Sequence, residues 1–251
     1  RGTAVIEMAL ASGLQLVGGS AHNDVIAAST IGTGQLIDAA LNLGADRIIV
    51  CLGGSATTDG GLGAVQAITV PARLKRVEFL VACDVTTNFL DAADVFAAQK
   101  GATATQIKFL TTRLTGTAEH YRQRFNVDVT RIAGSGAAGG LAGGLFALGA
   151  TLMPGFDIVA EEVGLYAAME NCDVIITGEG QLDDTSFDGK VVGSIAALGK
   201  QQRKTVHAIC GDVHASAHTH MKRLGLSATS LRDTFGDDGL TATTRCVEQA
   251  A

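Results

Sequence analysis

The 251-residue chain is 47% hydrophobic and 18% charged, has no Trp and carries a formal net charge of −6; this is a packed globular composition that excludes wholesale disorder. The acidic balance leaves no basic footprint for nucleic acid or an anionic membrane surface, so an anionic ligand has to be held locally by backbone N–H groups and a few lysines. Its length admits one large or two modest α/β domains. The five cysteines, Cys51, Cys83, Cys172, Cys210 and Cys246, show no CxxC spacing and read as reduced, buried thiols of a cytoplasmic protein. No apolar run approaches the ~20 residues of a membrane span. Arg1-Gly2-Thr3 does not begin a signal peptide, and the missing initiator Met reads as a truncated, processed or partially recorded chain.

In chain order, short apolar runs alternate with amphipathic stretches, the pattern of βα units. A helix is expected over Gly34–Leu43, then the turn Gly44-Ala45-Asp46 and a strand over Arg47–Leu52. A second strand covers Val77–Cys83. Ile132–Leu152 is rich in glycine, and we read its first half as a loop and Leu141–Ala150 as a close-packed helix. Pro154-Gly155 stops that helix and marks the nearest thing to a boundary. A helix over Val163–Glu170, a strand over Val174–Thr177, a helix over Val192–Lys200 and a strand over Val206–Cys210 follow, and Gly236–Gly239 reads as a surface turn. Each strand runs into a Gly-rich or Asp-containing turn, the end at which open α/β sheets bind ligands.

Four of these turns carry candidate chemistry. Gly53-Gly54-Ser55-Ala56-Thr57-Thr58-Asp59-Gly60-Gly61 offers backbone amides and hydroxyls to an anion, with Asp59 as a base for a substrate hydroxyl or a magnesium ligand; a Gly-rich turn capped by Asp59 or Ser55 explains it equally well. Asp84 ends the second strand, where it would serve a metal or a hydroxyl, or cap the turn. Lys100 precedes Gly101 and is either solvated or a ligand. Gly134-Ser135-Gly136-Ala137-Ala138-Gly139-Gly140 contains a formal G-x-G-x-x-G but lacks the ribose-binding acid of a dinucleotide site. The richest turn holds Gly178, Glu179, Asp183, Asp184 and Lys190, carboxylates and an amine that suit Mg–ATP chemistry, although Lys190 is not a Walker lysine because Asp184 and Val191 break that pattern. Asp212 is a further strand-end carboxylate. His214 and His218 have zinc-compatible i,i+4 spacing without a third ligand and read as a wet helix face.

Together these segments resemble the type-1 glycerate kinase family: Gly-Gly-Ser-Ala-Thr-x-Asp-Gly-Gly at 53–61, Ala-Cys-Asp-Val-Thr at 82–86, Gln-Lys-Gly-Ala at 99–102, Gly-Ala-Ala-Gly-Gly at 136–140, Pro-Gly-x-x-Ile-Val at 154–159 and Ile-Thr-Gly-Glu-Gly at 176–180. The resemblance implies ATP-dependent transfer of phosphate to D-glycerate, usually at the 2-hydroxyl, with Mg²⁺. It also implies a two-domain α/β fold, a Rossmann-like parallel-sheet domain with a second α/β domain inserted. On that template residues 1–160 are the inserted domain and 161–251 the C-terminal part of the Rossmann-like one, whose N-terminal part is missing. Asp59, Asp84 and Lys190 are then catalytic; Gly53, Gly54, Ser55, Thr57, Lys100, Ser135, Gly136, Gly178 and Glu179 bind substrate or phosphate; and Asp183 with Glu179 holds the metal. Asp59, Asp84, Glu179 and Asp183 are expected to gather around one magnesium-phosphate pocket. Thr58, Gln181 and Asp188 stand where the family commonly has Asn, Arg and His. The implied partners are glycerate and ATP, with neither nucleic acid nor membrane, and a homodimer is admitted. The competing readings are a catalytically impaired relative that still binds nucleotide or a small hydroxy acid, and a Rossmann-type oxidoreductase using the glycines at 134–139.

Overall fold

In the computed structural model, which describes residues 2–250, four strands pair in parallel in the order of the chain: β1 (Thr3–Glu7), β2 (Arg47–Cys51), β3 (Glu78–Ala82) and β4 (Thr151–Met153). β2 is the run Arg-Ile-Ile-Val-Cys with Ile48, Ile49 and Val50 all buried, the composition of an inner strand covered on both faces. β2 and β3 fall where the apolar runs place them. β1 and β4 escaped the sequence reading because β1 is exposed at every other position and β4 is three residues long.

The helices of this unit are α1 (Ala9–Ser12), α2 (Ile31–Asn42), α3 (Leu62–Ala67), α4 (Ala92–Phe96), α5 (Ala104–Phe125) and α6 (Ala137–Ala147). α5 was not anticipated, yet its start is written in the sequence: the Thr103 hydroxyl accepts from the Gln106 N–H while the Gln106 side chain accepts from the Thr103 N–H, a capping box. Leu110, Leu114, Thr117, Ala118 and Tyr121 turn one face of α5 into the core. α6 begins at Ala137 and ends at Ala147, earlier than the expected Leu141–Ala150, so β4 stands between it and Pro154. Its first turn is left-handed at Ala138, Gly139 and Gly140 (φ 53°, 69° and 91°). At Gly139 a Cβ would lie 2.0 Å from the Thr57 carbonyl oxygen, so close packing explains that glycine directly.

The chain divides between Gly155 and Phe156. The second unit holds α7 (Gly155–Glu162), which begins at the division, α8 (Leu165–Glu170), β5 (Val174–Leu182), α9 (Val191–Gln202), β6 (Thr205–Val213), α10 (His218–Leu224), β7 (Leu226–Ser230), α11 (Leu231–Phe235), α12 (Asp238–Thr241) and α13 (Thr243–Ala250). Its three strands form a second parallel sheet in the order β5-β6-β7. Ile175, Val206, Ala208 and Cys210 pack one face of this sheet against Val192, Ile195 and Ala196 of α9. β5 and β6 run past their expected ends because glycines let the backbones close up: a Cβ on Gly178 would sit 2.3 Å from the Ile209 carbonyl oxygen, and one on Gly211 2.5 Å from that of Gly180. Gly178 and Glu179 therefore lie on a strand, not in a turn. The expected surface turn at 236–239 leads into α12 instead, with Gly239 buried. Cys210 and Cys246 are buried as expected, whereas Cys51, Cys83 and Cys172 are only half-buried.

Candidate active site

A cleft of ≈ 470 Å³ opens in the first unit at the C-terminal ends of β2 and β3. Its floor and rim come from Leu52, Gly53, Gly54 and Ser55 after β2 and from Ala82, Cys83, Asp84 and Val85 at the end of β3; Gln99, Lys100, Ala137 and Ala138 close it. Parallel sheets leave such a crevice at this end because their connections leave the strands there. The Gly53–Ser55 turn is stapled to the end of α1 and the residues after it: the Leu14 N–H donates to the Gly54 carbonyl (2.9 Å) and the Ala56 N–H to the Ser12 carbonyl (3.0 Å). Gly54 takes φ 72°, the left-handed backbone that glycine tolerates.

Lys100 ends a short 3₁₀ turn, Ala98–Lys100, and is buried to 3% exposure while lining the cleft. Its Nζ donates to the Thr57 carbonyl at 2.7 Å. The side chain of Asn23, which the sequence reading passed over, holds this corner together by donating to the carbonyls of Lys100 (2.9 Å) and Ala56 (3.0 Å). Burial lowers the Lys100 pKa to about 8, and the nearby Asp59 carboxylate pulls it partly back up.

Asp59 is placed differently from the expectation. Its carboxylate turns inward and accepts from the Gly61 N–H on Oδ1 (3.0 Å), and on Oδ2 from the Thr30 N–H and hydroxyl (both 2.9 Å), the Gly63 N–H (3.3 Å) and the Ser29 hydroxyl (3.4 Å). Thr30 and Gly61 cap α2 and α3, so one carboxylate closes two helix starts, and the favourable dipole ends of both meet it. The side chain is buried and does not line the cleft, so Asp59 is not placed to take a proton from a hydroxyl bound there. The capping alternative is the one this geometry selects. Asp59 and Asp84 consequently do not share a pocket: Asp84 is exposed at the cleft, its Oδ1 accepting from the Gly155 N–H at 2.7 Å.

Thr57, Ser135 and Gly136 are buried and do not line this cleft; a Cβ on Gly136 would meet the Asn88 carbonyl oxygen at 2.3 Å, while Thr57 Oγ1 and Ser135 Oγ are buried without a hydrogen-bond partner. The same packing disposes of the dinucleotide spacing at Gly134, Gly136 and Gly139, which follows a 3₁₀ turn (Val129–Arg131) instead of a strand. Ala137 and Ala138, next in sequence, are the members of that segment which reach the cleft. A left-handed alanine at 138 had no sequence signal.

In the second unit, Gly178 and Glu179 line a ≈ 600 Å³ hollow between β5, β6 and α11–α13. One carboxylate oxygen of Glu179, Oε1, is buried without a hydrogen-bond partner. Asp183 follows β5 and accepts from the Thr185 hydroxyl at 2.7 Å, which in turn accepts from Lys190 Nζ at 2.7 Å. The Thr185 hydroxyl, first, and the Lys190 charge hold the Asp183 carboxyl below the usual carboxylate range. Asp212 pairs with Arg232 at 3.1 Å. Among the described residues no three His, Cys, Asp or Glu side chains cluster as a ready-made metal cage; His214 instead caps the turn at Ser216 and His220 stacks on Phe187 at 4.8 Å.

Fold and cleft define an α/β protein of two parallel-sheet units, the first with a crevice at its strand ends. The glycerate kinase family model matches residues 1–72 and 68–237, and the chain belongs to that family. It is 38% identical over 243 residues to the glycerate 2-kinase of Escherichia coli strain K12, covering 84% of this chain and 64% of the relative, and 37% identical over 243 residues to a glycerate kinase of Bacillus subtilis strain 168 (84% and 63%). The chain thus spans just under two thirds of the curated relatives it matches. A crystal structure provisionally assigned as glycerate kinase 2 of Salmonella typhimurium LT2 superposes with a TM-score of 0.75 at 34% identity, over 98% of this chain and 77% of that one.

Proposed function

We propose that this protein phosphorylates D-glycerate with ATP, giving the 2-phospho product, as a cytoplasmic enzyme. The observation that carries this reading is the cleft of the first unit: a buried lysine, Lys100, beside exposed glycine amides at 53 and 54 and the carboxylate of Asp84. A small hydroxy acid presents a carboxylate and a hydroxyl, and the cleft presents a cation for the first and an acid side chain for the second. Lys100 and the Gly53–Ser55 turn receive the substrate carboxylate. Asp84, with Oδ1 engaged by Gly155, orients the hydroxyl and takes up its proton through Oδ2. Similarity to the named glycerate kinases supports the substrate.

The family's reaction uses Mg–ATP, and the residues of the second unit are compatible with it. The unpartnered buried oxygen of Glu179 and the ionised carboxylate of Asp183 are each a donor of the kind magnesium accepts, since that ion takes one or two carboxylates and completes its shell with phosphates and water. When bound, magnesium neutralises charge on the transferred phosphoryl group. Lys190, held on the Thr185 hydroxyl, is placed for an anionic oxygen. We read the unit ending at Gly155 as the inserted domain and the unit beginning at Phe156 as the C-terminal part of the Rossmann-like one.

A coupled ADP-release assay with D-glycerate, and phosphorus NMR of the product, tests the reading. Turnover to 2-phosphoglycerate supports it. Calorimetric binding of Mg–ATP and glycerate without turnover selects the impaired relative instead, and retention of NAD(H) without ATP would restore the oxidoreductase.

A further inference from the structure

Asp59 is buried and does not line the cleft, yet two residues before it the Thr57 carbonyl holds the ammonium of Lys100, a cation that does. We infer that Asp59 is a positioning residue that keeps Lys100 protonated and aimed into the cleft, so that the anion-binding strength of the first unit is set from behind by a carboxylate that never touches the ligand. The assignment of the ligand as a hydroxy acid rests on the reading above; the coupling between Asp59 and Lys100 does not.

Three observations converge on this role. First, the two residues are joined by one short segment: Lys100 Nζ donates to the carbonyl of Thr57, two residues before Asp59, and Asn23 ties the Lys100 and Ala56 carbonyls together. The lysine head is thus fixed to the strand-end turn whose far end Asp59 anchors on Thr30, Gly61 and Gly63. Second, Lys100 is nearly inaccessible although it lines the cleft, and a buried ammonium sheds its proton unless an opposite charge is near. Asp59 is the charged group that acts on it from the packed side, and Asp84 is the acid on the cleft side. Third, the donors around Asp59 fix its carboxylate in place: four of the five come from backbone N–H groups or the Thr30 hydroxyl at two helix starts. A carboxylate held by that many donors does not swing away. Tyr121, whose hydroxyl donates to the Gly60 carbonyl at 2.8 Å, feels the same charge, which together with burial pushes its pKa up, so it remains a neutral neighbour.

The test reads the lysine directly. Protein carrying ¹³C at lysine Cε is titrated by NMR, with the Lys100 signal assigned by its loss in K100R. Wild type is expected to titrate near pH 8, and D59N at least about one pH unit lower, the size of effect an opposite charge exerts at close range. D59S, which also caps a helix, replaces D59N if the latter does not fold. N23A, which disturbs the same corner without changing charge, leaves the midpoint within about half a unit of wild type. An unchanged Lys100 midpoint in the neutral Asp59 variants, or an equal fall in N23A, overturns the inference. D-glycerate affinity by calorimetry across the same pH range is the second arm. In wild type it is lost as Lys100 deprotonates, and in D59N it is lost at correspondingly lower pH. If the lysine shifts as stated while neither protein binds glycerate, the coupling stands and the hydroxy-acid reading fails.

Discussion

Replacing Lys100 with Met isolates what it costs to keep a cation in the cleft wall. Burial takes the Lys100 pKa from 10.5 to about 8, and each pKa unit is worth 1.36 kcal/mol, so at neutral pH the buried ammonium destabilises the fold by about 3 kcal/mol. The sign follows from proton counting: between pH 8 and 10.5 the unfolded chain holds this proton and the folded one does not, so stability rises with pH across that window, and below it the penalty is complete. About 2 kcal/mol should be recovered by pH 9.5. K100M removes the titration but also the hydrogen bond to the Thr57 carbonyl, which offsets part of the gain at any pH. Urea unfolding of both proteins at pH 7 and 9.5 removes every other titrating group from the comparison. The stability of wild type relative to K100M should climb by about 2 kcal/mol over that interval, while K100M loses glycerate binding throughout. A gap that stays constant with pH would show that Lys100 is not a buried, charged group and would refute the reasoning.

Asp59→Ala strands the N–H groups of Thr30, Gly61 and Gly63 and should lower unfolding stability by about 3 kcal/mol; calorimetric scanning reads it, and a near-neutral change would contradict the anchoring role. Asp84→Asn leaves a residue of the same size at an exposed position, so the thermal midpoint should hold while turnover of glycerate falls roughly 10²-fold or more. Ala138→Gly relieves a left-handed alanine (φ 53°). A gain of about 0.5 kcal/mol or less is expected, because the strain relieved is balanced by the added freedom of the unfolded glycine, and denaturant midpoints would expose a larger effect of either sign.

The alternation of apolar runs with Gly-rich turns made the α/β class and the inner strands readable, because a strand buried on both faces has to be a continuous β-branched run, as in Ile48-Ile49-Val50. The same reading missed β1 and β4, in which exposed positions interrupt or shorten any such run. It also stopped β5 at Thr177, since a strand carried on through Gly178-Glu179-Gly180 depends on how closely a neighbouring backbone approaches. Asp84 and the glycines at 53 and 54 could be picked out as residues with the right chemistry at the right end of a strand, and Lys100 as a lysine beside Gly101; the cleft is lined by all four.

What the amino-acid sequence determined by itself was therefore membership of a family, a parallel α/β architecture and an inventory of candidate groups. The tertiary structure alone decided which of those groups line a cleft. Asp59 and Asp84 are the same residue type at strand-end turns, but the first is ringed by the N–H groups of the helix that follows it and by Thr30, 29 residues back in the chain, and the second is left open at the rim. Direction of approach and hydrogen-bond saturation are properties of packing between remote segments, and no local pattern of residues encodes them.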